Sequence, residues 1–110
     1  MKTITSASVT IAPHADPDGV VTTVHGNLFA QLGFDPAEAV VLAMRADMVA
    51  KIRLIIKARD WTQQETAQHL RMTQPRVSDL VRGKTDKFSL DMLVMLATRA
   101  GRKVELVMAE

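Results

Sequence analysis

Residues 62–83, TQQETAQHLRMTQPRVSDLVRG, place two helix starts and two helix stops in one short stretch. Few local conformations satisfy all four signals. Thr62 opens the first helix as its N-cap, and Glu65 stands three residues on, the spacing of a capping box. Ala67 and Leu70 face inward, and Arg71 and Met72 then break the periodicity. Thr73 opens a second helix, with Pro75 accommodated in its first turn, where a missing N–H costs nothing. Val77 and Leu80 form its apolar pair, and Gly83 ends it where a left-handed residue is cheapest. The spacing predicts two helices of about eight residues joined by a turn of about three, the geometry of a helix-turn-helix. The small Ala67 lies where the second helix must cross the first.

The flanking sequence supplies a body for this motif. Asp35 and Pro36 open a long helix to about Arg59, with Glu38 at the capping-box position. Val41, Met44, Met48, Ile52, Ile55 and Ile56 recur at three- and four-residue intervals, which is one buried helix face. Asn27 and Gly33 bracket a short helix over 28–32. Ser89 caps a further helix over 90–100, ended by Gly101, with Leu90, Leu93, Leu96, Ala97 and Ala100 inward. VELVM at 104–108 reads as a strand. A lone strand needs a partner, either an N-terminal strand or the same strand of a second copy. In residues 1–25, ITSASVTI and VVTTV are compatible with strands. They flank the irregular PHADPDG, and few large apolar groups are present, so an extended or partly disordered arm is expected. The division is therefore an arm over 1–25 and one domain over 26–110.

At 110 residues the chain supports a single core with a thin margin, which oligomerisation would widen. The absence of cysteine excludes disulfides, thiolate-held clusters and cysteine zinc fingers. His14, His25 and His69 lack metal-ligand spacing, so no metal and no cofactor are expected. No phosphate-cradling glycine loop or nucleophile elbow is present, and an enzyme is the weakest class. No apolar run is long enough to span a bilayer, and the N-terminus lacks a signal-peptide apolar region. The default location is the cytoplasm.

Charge is unevenly distributed. Residues 51–103 hold twelve of the fourteen basic residues against Asp60, Glu65, Asp79, Asp86 and Asp91, while both flanks are acidic. A basic middle is the footprint of a polyanion binder, although a solvated helical surface would give the same count. The second motif helix decides between them. It is narrow enough for the major groove, and its leading residues carry base-reading chemistry. Gln74 suits adenine and Arg76 guanine. Pro75, Ser78 and Asp79 complete the candidate base-reading set, with Asp79 accepting from cytosine or orienting Arg76. Gln63, at the start of the first motif helix, suits a phosphate. Thr73, Arg82, Lys84 and Lys87 are the other candidate phosphate contacts.

These pieces carry a family resemblance. TQQETAQHL, TQPRVSDLVRGK and FSLDMLVMLATRAG resemble the Cro/repressor-type helix-turn-helix family, often called the XRE family. The wider span, from NLFAQLGF at 27–34 to GRKVELVM at 101–108, is similar to HigA-type antitoxins of bacterial toxin–antitoxin pairs. Five helices and this resemblance imply an all-α, lambda-repressor-like domain with a short C-terminal strand and an extended N-terminal arm. The resemblance implies a homodimer on a palindromic operator in double-stranded DNA, which Val104, Leu106 and Met108 of the terminal strand would hold together. It also implies an adjacent RNA-cleaving toxin of the HigB/RelE kind as partner, and repression of the shared operon. A stand-alone, prophage-like regulator and a protein-binding adaptor are the alternatives. The family usually has glycine in the motif turn where this chain has Arg71, so positive φ is expected there.

Overall fold

A computed structural model describes residues 6–13, 20–25 and 31–108. Among them the chain is mostly helical, with strands β1 (Ser6–Pro13) and β2 (Val20–His25), helices α1 (Pro36–Arg59), α2 (Gln63–Leu70) and α3 (Gln74–Val81), a 3-10 turn (Thr85–Lys87), helix α4 (Leu90–Arg99) and strand β3 (Arg102–Met108). The described helices number four; most of the short helix expected over 28–32 lies outside the described residues.

Local signals set the helix ends. The Asp35 carboxylate accepts from the backbone N–H of Ala37 and Glu38, supplying partners to orphan donors of α1. Asp60 ends that helix in the left-handed region (φ 55°) and donates back to Ile56 and Lys57. The Ser89 hydroxyl accepts from Met92 N–H at the start of α4.

One core joins the helices. Met44, Met48, Ile52, Ile55 and Ile56 of α1 meet Leu70, Leu80, Leu93, Leu96, Ala97 and Phe88. Val41, on the same periodic stripe, is exposed, whereas Ala39 is fully buried and Val40 packs against the core, so the first turns of α1 bury a neighbouring line of residues. Thr66 is fully buried; its hydroxyl donates to the Thr62 carbonyl one turn back at 2.8 Å, which satisfies its polarity without a tertiary partner.

Three arginines tie the elements together at carbonyls near element ends. Arg45 donates to the carbonyls of Phe88 (2.8 Å) and Thr85 (3.1 Å). Arg59 donates to Ala100, just past α4, and Arg99 donates to Leu70, the last residue of α2. Carbonyls near a helix end lack an intrahelical partner, and a guanidinium supplies both the donor and favourable charge for the dipole.

Where an extended or partly disordered N-terminal arm was expected, the described residues 6–13 and 20–25 form two antiparallel strands of a sheet. The sheet order is β2-β1-β3, with β1 antiparallel to both neighbours. Val9 lies opposite Thr22 on one side and Leu106 on the other. The strand expected over 104–108 thus pairs within the chain along one edge and extends back to Arg102.

Candidate nucleic-acid interface

The motif folds as its caps direct. The Thr62 hydroxyl accepts from Glu65 N–H at 3.0 Å, and the Glu65 carboxylate accepts from Thr62 N–H at 2.9 Å, a complete capping box. The Ala67 carbonyl accepts from the N–H groups of both Arg71 and Met72, closing α2. Arg71 takes φ 57° and ψ 52°, the left-handed conformation expected from its place in the turn. A β-carbon there costs about 1–2 kcal/mol. The end of α3 is a full Schellman motif: Gly83 (φ 74°) donates to Leu80, and Lys84 donates to Asp79.

Thr73 occupies the N-cap of α3 in extended conformation, but its side chain makes no capping bond. Pro75 removes one of the two N–H groups an N-cap side chain normally serves, so the Thr73 hydroxyl is left to other acceptors and donors. Thr73, Gln74 and Pro75 are exposed, whereas Val77 and Leu80 are fully buried. The helix rests on a narrow apolar seam with its leading residues in solvent. Ser78 and Asp79 are half-buried farther along, and Arg82 is exposed just past the end.

Arg76 departs from the expectation that it faces bases. Its guanidinium turns inward, 4.9 Å above the Phe88 ring, and Nη2 donates to the Lys87 carbonyl (3.2 Å) and contacts Met92 Sδ (2.9 Å). Nε is buried without a partner. The cause is helix phase. Arg76 stands one residue before Val77 and four before Leu80, so it flanks the buried seam and finds an aromatic face there. Asp79 likewise does not orient Arg76; its carboxylate lies 3.7 Å from Lys84 Nζ.

The remaining candidate phosphate contacts, Gln63, Arg82, Lys84 and Lys87, are all exposed. Beside Lys51, Lys84 and Lys103, which face carboxylates, nine of the described basic residues fall into two groups. Arg45, Arg59, Arg76 and Arg99 are committed to carbonyls and rings of the protein itself. Arg53, Lys57, Arg71, Arg82 and Lys87 make no ion pair or side-chain hydrogen bond among the described residues. These uncommitted cations surround the motif. Arg53 and Lys57 were missed in the sequence because they lie on α1, outside the motif. Their only signal was their position off its apolar stripe.

Trp61 packs against the core and stacks on exposed His69 at 4.3 Å with the rings 9° from parallel, while the Arg59 guanidinium lies 5.3 Å from the indole. The stack splices the α1–α2 joint. Among the described residues there is no cluster of three or more metal-binding side chains, and no helix is long and apolar enough to cross a membrane.

On β3, Val104 is half-buried against the core, whereas Leu106 and Met108 are exposed, as is Val107 on the opposite face. One edge of β3 is held by β1; the other has no strand partner among the described residues.

Residues 28–109 match a family model described as a helix-turn-helix domain. No curated protein and no solved structure matches the chain.

Proposed function

We propose, from the premise that this chain belongs to the helix-turn-helix domain family, that it is a sequence-specific DNA-binding repressor whose α3 enters the major groove. The observation that carries this reading is the contrast along α3: Val77 and Leu80 are wholly buried, while Thr73, Gln74 and Pro75 stand in solvent at its leading end. Gln74 offers an amide to adenine, Pro75 an apolar surface, and Ser78 and Asp79 shorter-range polar groups. Gln63, Thr73, Arg82, Lys84 and Lys87 grip the flanking phosphates. Arg76 holds α3 at its working angle instead of reading a base.

The repressor acts as a homodimer. The open edge of β3 pairs with the same edge of a second copy about a two-fold axis, covering Leu106 and Met108. Two α3 helices so related read half-sites about one helical turn apart.

The regulator is further an antitoxin. Its acidic N-terminal half and its span of likeness to HigA-type proteins support binding of a basic RNA-cleaving toxin encoded beside it.

Selection of duplexes from a random pool tests the DNA reading. A two-fold symmetric motif should emerge, and Gln74→Ala should lose about 1–3 kcal/mol of discrimination at one position in each half-site. Recovery of no preferred sequence at low salt would remove the reading. Co-expression with the neighbouring open reading frame tests the antitoxin role: stable co-purification supports it, and its failure leaves the stand-alone regulator.

A further inference from the structure

We propose that the DNA contact surface continues onto α1, where Arg53 and Lys57 bind the phosphate backbone of the same duplex that α3 reads. The inference rests on the DNA-binding reading and extends it to a helix outside the motif.

Three observations converge. First, a groove of about 640 Å³ runs between α1 and the motif, lined by Arg53, Lys57 and Leu54 of α1, Gln63 at the first turn of α2, and Val81 at the last turn of α3. It joins the two places on the motif already assigned to phosphate. Second, Arg53 reaches across it. A β-carbon at Gly83 would stand 3.0 Å from Arg53 Nη1, so the guanidinium lies over the left-handed turn that ends α3, beside Arg82 and Lys84. Gly83 therefore does two things: it takes the positive φ, and it leaves room for this cation.

Third, the charge is uncompensated. Arg53 and Lys57 stand one helical turn apart, where like charges repel. Asp60 is the one acidic group lining the groove, and neither cation makes an ion pair with it. By contrast Lys51, on the same helix, is paired with Asp47 at 2.9 Å. Arg45 and Arg59, also on α1, are bound to carbonyls. A helix that commits its other cations and leaves this pair exposed in a groove beside a phosphate-binding turn has a place for an anion. A phosphodiester strand held by Arg82 and Lys84 at the end of α3 would meet Arg53 over Gly83 and Lys57 farther along the groove.

The test is the salt dependence of binding, measured with a duplex selected by the parent protein and an unrelated duplex of equal length. Each neutralised phosphate contributes about 0.9 to the slope of log K against log salt. Arg53→Gln and Lys57→Gln should each lower the slope by about 0.9, the double variant by about twice that, and equally on both duplexes. Arg53→Lys keeps the charge and should restore the slope. Thermal unfolding confirms that each variant is folded. An unchanged slope in the folded double variant, while Lys84→Gln lowers it, overturns the α1 contact and leaves α3 reading intact. Loss confined to one base position overturns the phosphate assignment. Should the parent bind neither duplex, the DNA reading and this extension fall together.

Discussion

Replacing Arg76 by alanine separates a strut from a base reader. The guanidinium sits over Phe88 at 4.9 Å and donates to the Lys87 carbonyl at 3.2 Å from a half-buried position. The cation–π contact of a partly desolvated pair contributes about 1–2 kcal/mol. A hydrogen bond from a charged donor adds about 1.5 kcal/mol at the lower end of its range, fitting for a contact partly open to water. Against these, removal of the side chain also removes the buried, unpartnered Nε, a relief of about 1 kcal/mol. The net expectation is a loss of about 2 kcal/mol. For a domain near this size that lowers Tm by roughly 8 °C. Affinity should fall on every sequence alike, because α3 loses its fixed angle while its outward residues are untouched. The measurement is thermal unfolding by circular dichroism, paired with competition binding against duplexes altered one base pair at a time. Arg76→Lys should recover part of the Tm, since an ammonium can lie over the ring but lacks the planar fork. An unchanged Tm together with discrimination lost at a single base pair would refute the reasoning and return Arg76 to the groove.

Other substitutions test the local devices. Arg71→Gly should raise stability by up to about 1 kcal/mol in urea denaturation, because glycine relieves the left-handed strain that arginine carries at φ 57°. Thr62→Ala should cost about 1 kcal/mol in the same assay, through loss of the capping box on α2. A hydrogen bond from Ser89, then backbone N–H groups at the start of α4, hold the Asp91 carboxyl below its ordinary pKa. Its folded-state pKa being depressed, it stabilises the fold above the unfolded value, and that contribution disappears as pH falls through the folded one. Asp91→Asn should therefore flatten the acid limb of a Tm-against-pH curve and leave its slope near pH 7 unchanged.

The elements legible in the sequence are those set by neighbours a few residues away. Asp35, Thr62, Glu65, Gly83 and Ser89 announced their helix ends because caps are local chemistry. The apolar stripe from Met44 to Ile56 announced the buried face of α1. Arg76 did not announce its role, because an arginine flanking a seam points wherever an acceptor lies, and Phe88 is twelve residues onward in another element. Arg45 and Arg99 were equally silent: their carbonyls at Phe88 and Leu70 come close only after the helices pack. Thr73 shows the converse. It has the right residue type and backbone for a cap, yet the proline two positions on takes away a donor. Counting positive charge over the middle of the chain overstated the interface, because three of its arginines, Arg59, Arg76 and Arg99, are spent inside the protein.

The placement of β1 bears on how the molecule is made. Its central strand emerges early in synthesis, yet the second of its two neighbours, β3, follows only after every helix. Val9 must wait for Leu106. Closing so long a loop is slow, and an unsatisfied strand is adhesive in the interval. The helical body can assemble from short-range contacts in the meantime, so the sheet is the late step, and a nascent chain stalled before residue 102 would carry a folded motif beside an unclosed, capture-prone strand.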